Sequence, residues 1–300
     1  NNILVTATEL IGSQENVDQS GAVSVEQTRR NQTDMGFFVQ EEVNWDDKVI
    51  ATLGLRGDKS SNNGDPNQLY YYPKASLALN LHEFGFLPDK LSQLKLRAAF
   101  GQAGNFARFG STFTSLGNTI IDGNAGSLIN TLRGNNEVGP ERQTEIETGF
   151  DLGFNRGRYA LDFTYYVKSV ADLLINVNVP TTSGFTTRVT NAADLRNNGI
   201  EVGLTLQPIS NRNFNWYSRT AFWLNRSEIT RLDVPAFNLG AFGATLGTFR
   251  IEEGKSATQI VGISPNGVVA FGDAEPDFQM SFQNTLNYKD LELSFLIHWK

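Results

Sequence analysis

Apolar and polar residues alternate with a period of two along most of the 300-residue chain, the spacing that sends successive side chains of a β-strand to opposite faces. The last two segments show it most cleanly. In 277–288, Phe278, Met280, Phe282, Asn284, Leu286 and Tyr288 share one set of positions, apolar but for Asn284, while Asp277, Gln279, Ser281, Gln283, Thr285 and Asn287 fill the other. In 291–299, Leu291, Leu293, Phe295, Ile297 and Trp299 alternate with Glu292, Ser294, Leu296 and His298. Upstream, Ile146, Thr148, Phe150, Leu152 and Phe154 oppose Glu145, Glu147, Gly149, Asp151 and Gly153, and Tyr159, Leu161, Phe163, Tyr165 and Val167 oppose Asp162, Thr164 and Tyr166. Segments 94–101, 200–207 and 214–225 behave alike, and 35–45, 49–57 and 70–81 are noisier. With the opening residues, which also read as extended, the chain holds about twelve strands or parts of strands.

The connections between these strands alternate in length. Short ones fall at Asp46-Asp47, 82–93, Asn155-Arg156-Gly157, 208–213 and Lys289-Asp290; long ones fall at 10–33, 58–69, 102–141, 168–198 and 229–276. In an up-and-down barrel that crosses the outer membrane, successive turns lie on opposite sides, tight in the periplasm and long outside. A sandwich with Greek-key crossovers has no reason to put every long loop at one end. The fold expected is therefore all-β: part of a large antiparallel up-and-down transmembrane β-barrel, with residues 1–300 forming one partial barrel domain. Trp45, Tyr70-Tyr71-Tyr72, Trp216-Tyr217, Tyr288 and Trp299 stand near strand ends, where an interfacial aromatic girdle is expected.

Composition narrows the chemistry. A net charge of −7 and a pI near 5.0 leave no basic surface for nucleic acid. The absence of Cys rules out a disulfide framework and a thiolate metal site. No apolar run is long enough for a transmembrane helix, and no signal peptide opens the chain. A sequence that starts and stops inside strands reads as a piece of something longer.

Several stretches together resemble the SusC/RagA group of TonB-dependent outer-membrane transporters. They are YYPKASLALNL at 71–81, LKLRAAFGQAGN at 94–105, ERQTEIETGFDLGFNRGRYALDFTYYVKSVADLLI at 141–175, NAADLRNNGIEVGLTLQPI at 191–209, WYSRTAFWLNRSEITRL at 216–232 and GDAEPDFQMSFQNTLNY at 272–288. The resemblance implies a barrel of about twenty-two strands, closed by sequence not present here and occluded by a plug domain that is likewise not in this chain. It also implies energisation by TonB through that missing N-terminal part, a SusD-like surface lipoprotein as partner, lipid of the outer membrane around the barrel, and a glycan or peptide as the substrate taken up. A siderophore or cobalamin receptor of the same superfamily, a passive porin, and a soluble all-β adhesin or carbohydrate-binding module are the competing readings.

No catalytic constellation emerges, and no cofactor or metal is expected. His82 sits in a predicted turn and His298 on a polar strand face. There is no GxSxG, HExxH or Walker A pattern. Glu41-Glu42, the Glu145/Glu147 pair, and Asp273, Glu275 and Asp277 invite a metal or paired-carboxylate reading; Glu145 and Glu147 share one strand face and read as charges of a wet interior, and the last three fit no calcium loop. Loop 102–141 is too long for a mere connector. Within it Phe106, Arg108, Phe109 and Phe113 supply ring faces and a positive charge, and they are the candidate ligand-binding residues.

Overall fold

In the computed structural model, residues 2–9, 12, 16–240, 247–265 and 267–300 are described. They fall into two units, 1–34 and 35–300. In the first, Asn2–Thr8 pairs antiparallel with Ala22–Thr28, Asn2 opposite Thr28 and Thr8 opposite Ala22. The second of these strands lies inside the stretch expected to be a connection.

The second unit is built on a meander of ten strands: β1 (Asp34–Trp45), β2 (Val49–Ser60), β3 (Tyr70–Asn80), β4 (Leu91–Asn105), β5 (Glu141–Phe154), β6 (Tyr159–Asn178), β7 (Thr187–Ser210), β8 (Phe214–Leu232), β9 (Gln279–Tyr288) and β10 (Leu291–Trp299). Each pairs only with its sequence neighbours, except that the short strand Leu132–Arg133 adds in parallel to the start of β7. No strand order is crossed over, as the alternation of short and long connections requires. One short turn shows the local chemistry. Asp46 and Asp47 both take left-handed backbone, φ 54° and 53°, the conformation whose twist matches a two-stranded hairpin; the Asn44 carboxamide accepts the Asp47 N–H at 3.0 Å.

Register makes the two faces explicit. One row across the sheet runs Val49, Leu79, Leu96, Phe150, Phe163, Val202, Phe222, Met280 and Trp299. The row on the other face runs Thr52, Ser76, Ala99, Glu147, Tyr166, Gly199 and Asn225. No second sheet covers the apolar rows: Leu53 is 67% exposed, Ile146 56% and Ile297 55%. A continuous apolar face of this size is stable only against lipid, and the opposite face is the lumen wall. The apolar face stops toward the long loops, where its next rows are Val167, Asn198 and Arg226, then Ser169, Arg196 and Glu228. That change marks the outer edge of the lipid band.

Beyond this edge the strands continue. β6, β7 and β8 run 20, 24 and 19 residues, where about 9–11 suffice to span a bilayer. Most of 168–198, expected to be loop, is therefore paired strand. The connection 102–141 holds a hairpin, Leu116–Ile121 with Asn124–Ile129, and 229–276 holds a four-stranded sheet of Phe237–Leu239, Thr248–Ile251, Gln259–Ser264 and Gly267–Asp273. A single-layer wall has little interior of its own, so most of the deeply buried side chains sit in this outer layer: Ala107, Val138, Ala192, Ala193, Ile229 and Val261, with Ser60, Asn63, Ser111 and Asn135, while the paired Ser218 and Asn284 are buried in the wall itself.

Candidate ligand site at the outer mouth

Up to the outer edge of the lipid band the lumen wall is polar and charged. Glu145, Lys168, Asn197 and Ser227 form one row, and Glu147, Tyr166 and Glu201 line the same shallow hollow. Arg97 reaches across β5 to bond Asp151 Oδ1 through Nε at 3.1 Å and Thr164 Oγ1 through Nη2 at 3.0 Å. It crosses at Gly149, where a Cβ would overlap the Phe163 carbonyl oxygen and crowd the guanidinium.

One row further out, the lumen side turns apolar. The row after Lys168, Asn197 and Ser227 is Val170, Leu195 and Ile229. These last two join Leu173, Leu174, Phe237 and Ile251 in the wall of a cleft of about 540 Å³, a volume typical of ligand pockets. The cleft wall is shaped by a bulge in β6, where register shifts on both sides of Leu173 and Asp172 takes φ 58°. Bulges re-aim side chains in this way. A polar clamp holds it. The Asp172 N–H donates to Asp194 Oδ1 at 2.9 Å, the Asn191 carboxamide donates to the Asp172 carbonyl at 2.7 Å, and Arg231 grips Asp194 through Nε at 2.9 Å and Nη2 at 2.8 Å. The Arg231 hydrogen bonds hold the Asp194 carboxyl below its ordinary range; burial pulls it back, and the Asp172 N–H and the Arg231 charge add to the lowering.

Phe106 and Arg108 both line the cleft, on either side of Ala107, which is 2% exposed and anchors the segment. Phe109 and Phe113 do not line it; they pack edge to face on each other, centroids 5.6 Å apart. Phe106 and Arg108 thus form one wall of the cleft. The rest comes from β6, β7, β8 and the small sheet, distant in sequence and missed because an isolated Leu or Ile carries no binding signal.

The remaining candidates scatter. Alternation splits the tyrosine triplet: Tyr71, 48% exposed, sits on the lipid side against Phe37, whereas Tyr72, 4% exposed, packs at Gly104. Asp273 accepts the Thr258 hydroxyl and the Glu275 N–H, Glu275 bonds Asn225, and Asp277 pairs with Arg226 at 3.1 Å, so the three carboxylates diverge. Among the described residues no group of three or more His, Cys, Asp or Glu converges as a metal site. His82 bridges its own hairpin to Leu94, and His298 lies against Trp223.

A one-layer meander with a lipid face, a polar lumen and an elaborated outer layer defines the wall of an outer-membrane β-barrel. The family model "TonB dependent receptor-like, beta-barrel" matches residues 7–294, and the chain belongs to that family. Among relatives, it is 29% identical to TonB-dependent receptor P26 of Formosa agariphila, over 86% of this chain and 31% of that protein. It is 28% identical to the TonB-dependent receptor SusC of Bacteroides thetaiotaomicron, over 62% of this chain and 20% of that one. The RagAB peptide transporter structure superposes with a TM-score of 0.76 at 19% identity, over 96% of this chain and 36% of that one. The chain therefore spans a fifth to a third of these curated relatives.

Proposed function

We propose that this chain is part of the barrel domain of an energised outer-membrane nutrient importer. It takes up oligosaccharides or peptides, works with a SusD-like surface lipoprotein, and draws energy from TonB through a plug domain carried elsewhere in the same protein. The observation that carries the reading is the change along the lumen face, from a charged wall inside the membrane to a built cleft at its outer mouth. A passive pore needs the first and has no use for the second. Phe106 and Arg108 are the proposed ligand contacts, with Phe109 and Phe113 supporting the loop that presents them. Likeness to the RagAB peptide transporter supports the peptide class, and the resemblance of the sequence to the SusC/RagA group is what carries the oligosaccharide class and the lipoprotein partner.

The test is fractionation followed by uptake. The full-length protein should be recovered in the outer membrane, run as a folded band that shifts on boiling, and bring a surface lipoprotein with it on gentle extraction. Cells lacking it should lose uptake of an oligosaccharide or peptide, and a protonophore should abolish that uptake in normal cells. Recovery as a detergent-free soluble protein, or uptake indifferent to the protonophore, would overturn the proposal.

A further inference from the structure

The cleft at the outer mouth carries more information than its position. Its lining is dominated by branched aliphatic side chains, with only Phe106 and Phe237 as aromatic members. A sugar ring is held by flat aromatic faces and a dense set of donors and acceptors for its hydroxyls. This wall would leave most of those hydroxyls unpaired, which costs affinity for each one buried. An aliphatic side chain of a ligand loses nothing polar on entering.

Asn105, Ser111 and Asn176 are neutral polar members of the lining, and the charged groups at and behind it divide into spent and unspent. Glu141 is spent: Oε2 accepts the Asn105 carboxamide at 2.9 Å and Oε1 accepts the Leu174 N–H at 2.9 Å, which fixes the cleft wall. The Asp172, Asp194 and Arg231 charges behind it are consumed by one another. Arg108 differs. Its side chain is exposed, and among the described residues its guanidinium makes no hydrogen bond or ion pair, while its carbonyl accepts the Ser111 N–H at 3.1 Å and holds the turn. A planar, permanently charged guanidinium at the lip of an aliphatic slot is set up to take a carboxylate in two parallel hydrogen bonds.

We infer that the cleft binds the end of a peptide, an aliphatic side chain in the slot and its carboxylate on Arg108, in preference to a glycan. This rests on the uptake reading above and deepens it to one substrate class. The slot and the charge are contributed by different segments: Leu174, Leu195 and Ile229 come from paired strands, and Arg108 comes from the loop after β4. Selectivity for the side chain and for the carboxylate should therefore be separable by substitution.

The experiment uses the purified full-length protein in detergent, with three probes measured by calorimetry. They are a tripeptide ending in leucine with a free carboxylate, the same peptide as its C-terminal amide, and a linear glucose oligosaccharide. The acid peptide should bind about ten- to a hundredfold more tightly than the amide, the range of a charge-assisted hydrogen bond, and the oligosaccharide should compete with neither. In Arg108→Gln, a change at an exposed rim position, acid and amide should bind equally, both at the wild-type amide level. In Phe106→Ala, both peptides should weaken together with the acid-to-amide ratio kept. Equal binding of acid and amide to the wild type, a ratio that survives Arg108→Gln, binding of the oligosaccharide in place of the peptides, or binding of no probe would each overturn the inference. None of these results touches membrane location or protonophore sensitivity, so the uptake reading stands or falls on its own measurements.

Discussion

At the scale of single residues, two devices let charged side chains work on a thin wall. Gly149 is the first: with no Cβ, it opens the lane through which Arg97 crosses to Thr164. Gly149→Ala forces an overlap with the Phe163 carbonyl, and overpacking of this kind costs about 1–3 kcal/mol. The expected result is a lower midpoint for loss of the heat-modifiable band on titration with urea, while lipid-side contacts stay intact. The second device is the Asp194–Arg231 clamp behind the bulge at Asp172. A carboxyl held below its ordinary value, near 4, contributes stability that is fully present above that value and is lost as pH falls through the lower folded value. Amide protection of 170–174 and 191–195 should accordingly fall in acid below about pH 4 while the lipid-band strands remain protected. In Asp194→Asn that acid step should vanish. Because the pair is partly open to water, its removal should cost only about 1 kcal/mol.

At the scale of strands, neighbouring residues on one element answer to different solvents. Glu201 faces the lumen and Val202 the lipid, in the row of Phe163 and Phe222. Val202→Lys places a cation against hydrocarbon, at a cost of about 2–4 kcal/mol near the midplane, and should sharply reduce folded protein in the outer membrane. Glu201→Lys should be recovered at close to wild-type amounts; equal loss in both variants would sink the assignment of faces. This division of solvents is also why the lipid-band strands were legible. Phe278, Met280 and Phe282 could alternate with Gln279, Ser281 and Gln283 only where one face is dry and the other wet. Beyond the band that contrast ends. Ser169, Arg196 and Glu228 on the outer side meet water, and Leu195 and Ile229 on the lumen side form the cleft, so alternation weakens although pairing persists. The strands of 168–198 read as loop for that reason. Phe106 and Arg108 stood out because a ring and a charge are conspicuous in a loop, whereas the aliphatic wall opposite them is assembled only by register and a bulge.

At the scale of the molecule, the sheet has two open edges, β1 and β10, each with a single neighbour. All residues of both strands are exposed, and unpaired backbone groups there cannot be left in hydrocarbon. Closing β10 onto β1 would give a ten-stranded barrel, but a barrel that narrow must fill its interior with side chains. The lumen rows are unsuited to that: Gly54, Gly101, Gly199 and Gly203 add no volume, and Glu145, Glu147, Lys168 and Glu201 add charge that a dry core would leave poorly solvated. Small and charged residues together call for a wider, water-filled or domain-filled lumen, and hence for further strands at both edges. Residues 1–300 produced alone and refolded in detergent should therefore yield no monomer that resists gel denaturation and shifts on boiling. The same residues within the full-length protein should be part of one that does. A heat-modifiable monomer from residues 1–300 alone would mean that β10 does pair with β1, and the wide-lumen architecture would have to be abandoned.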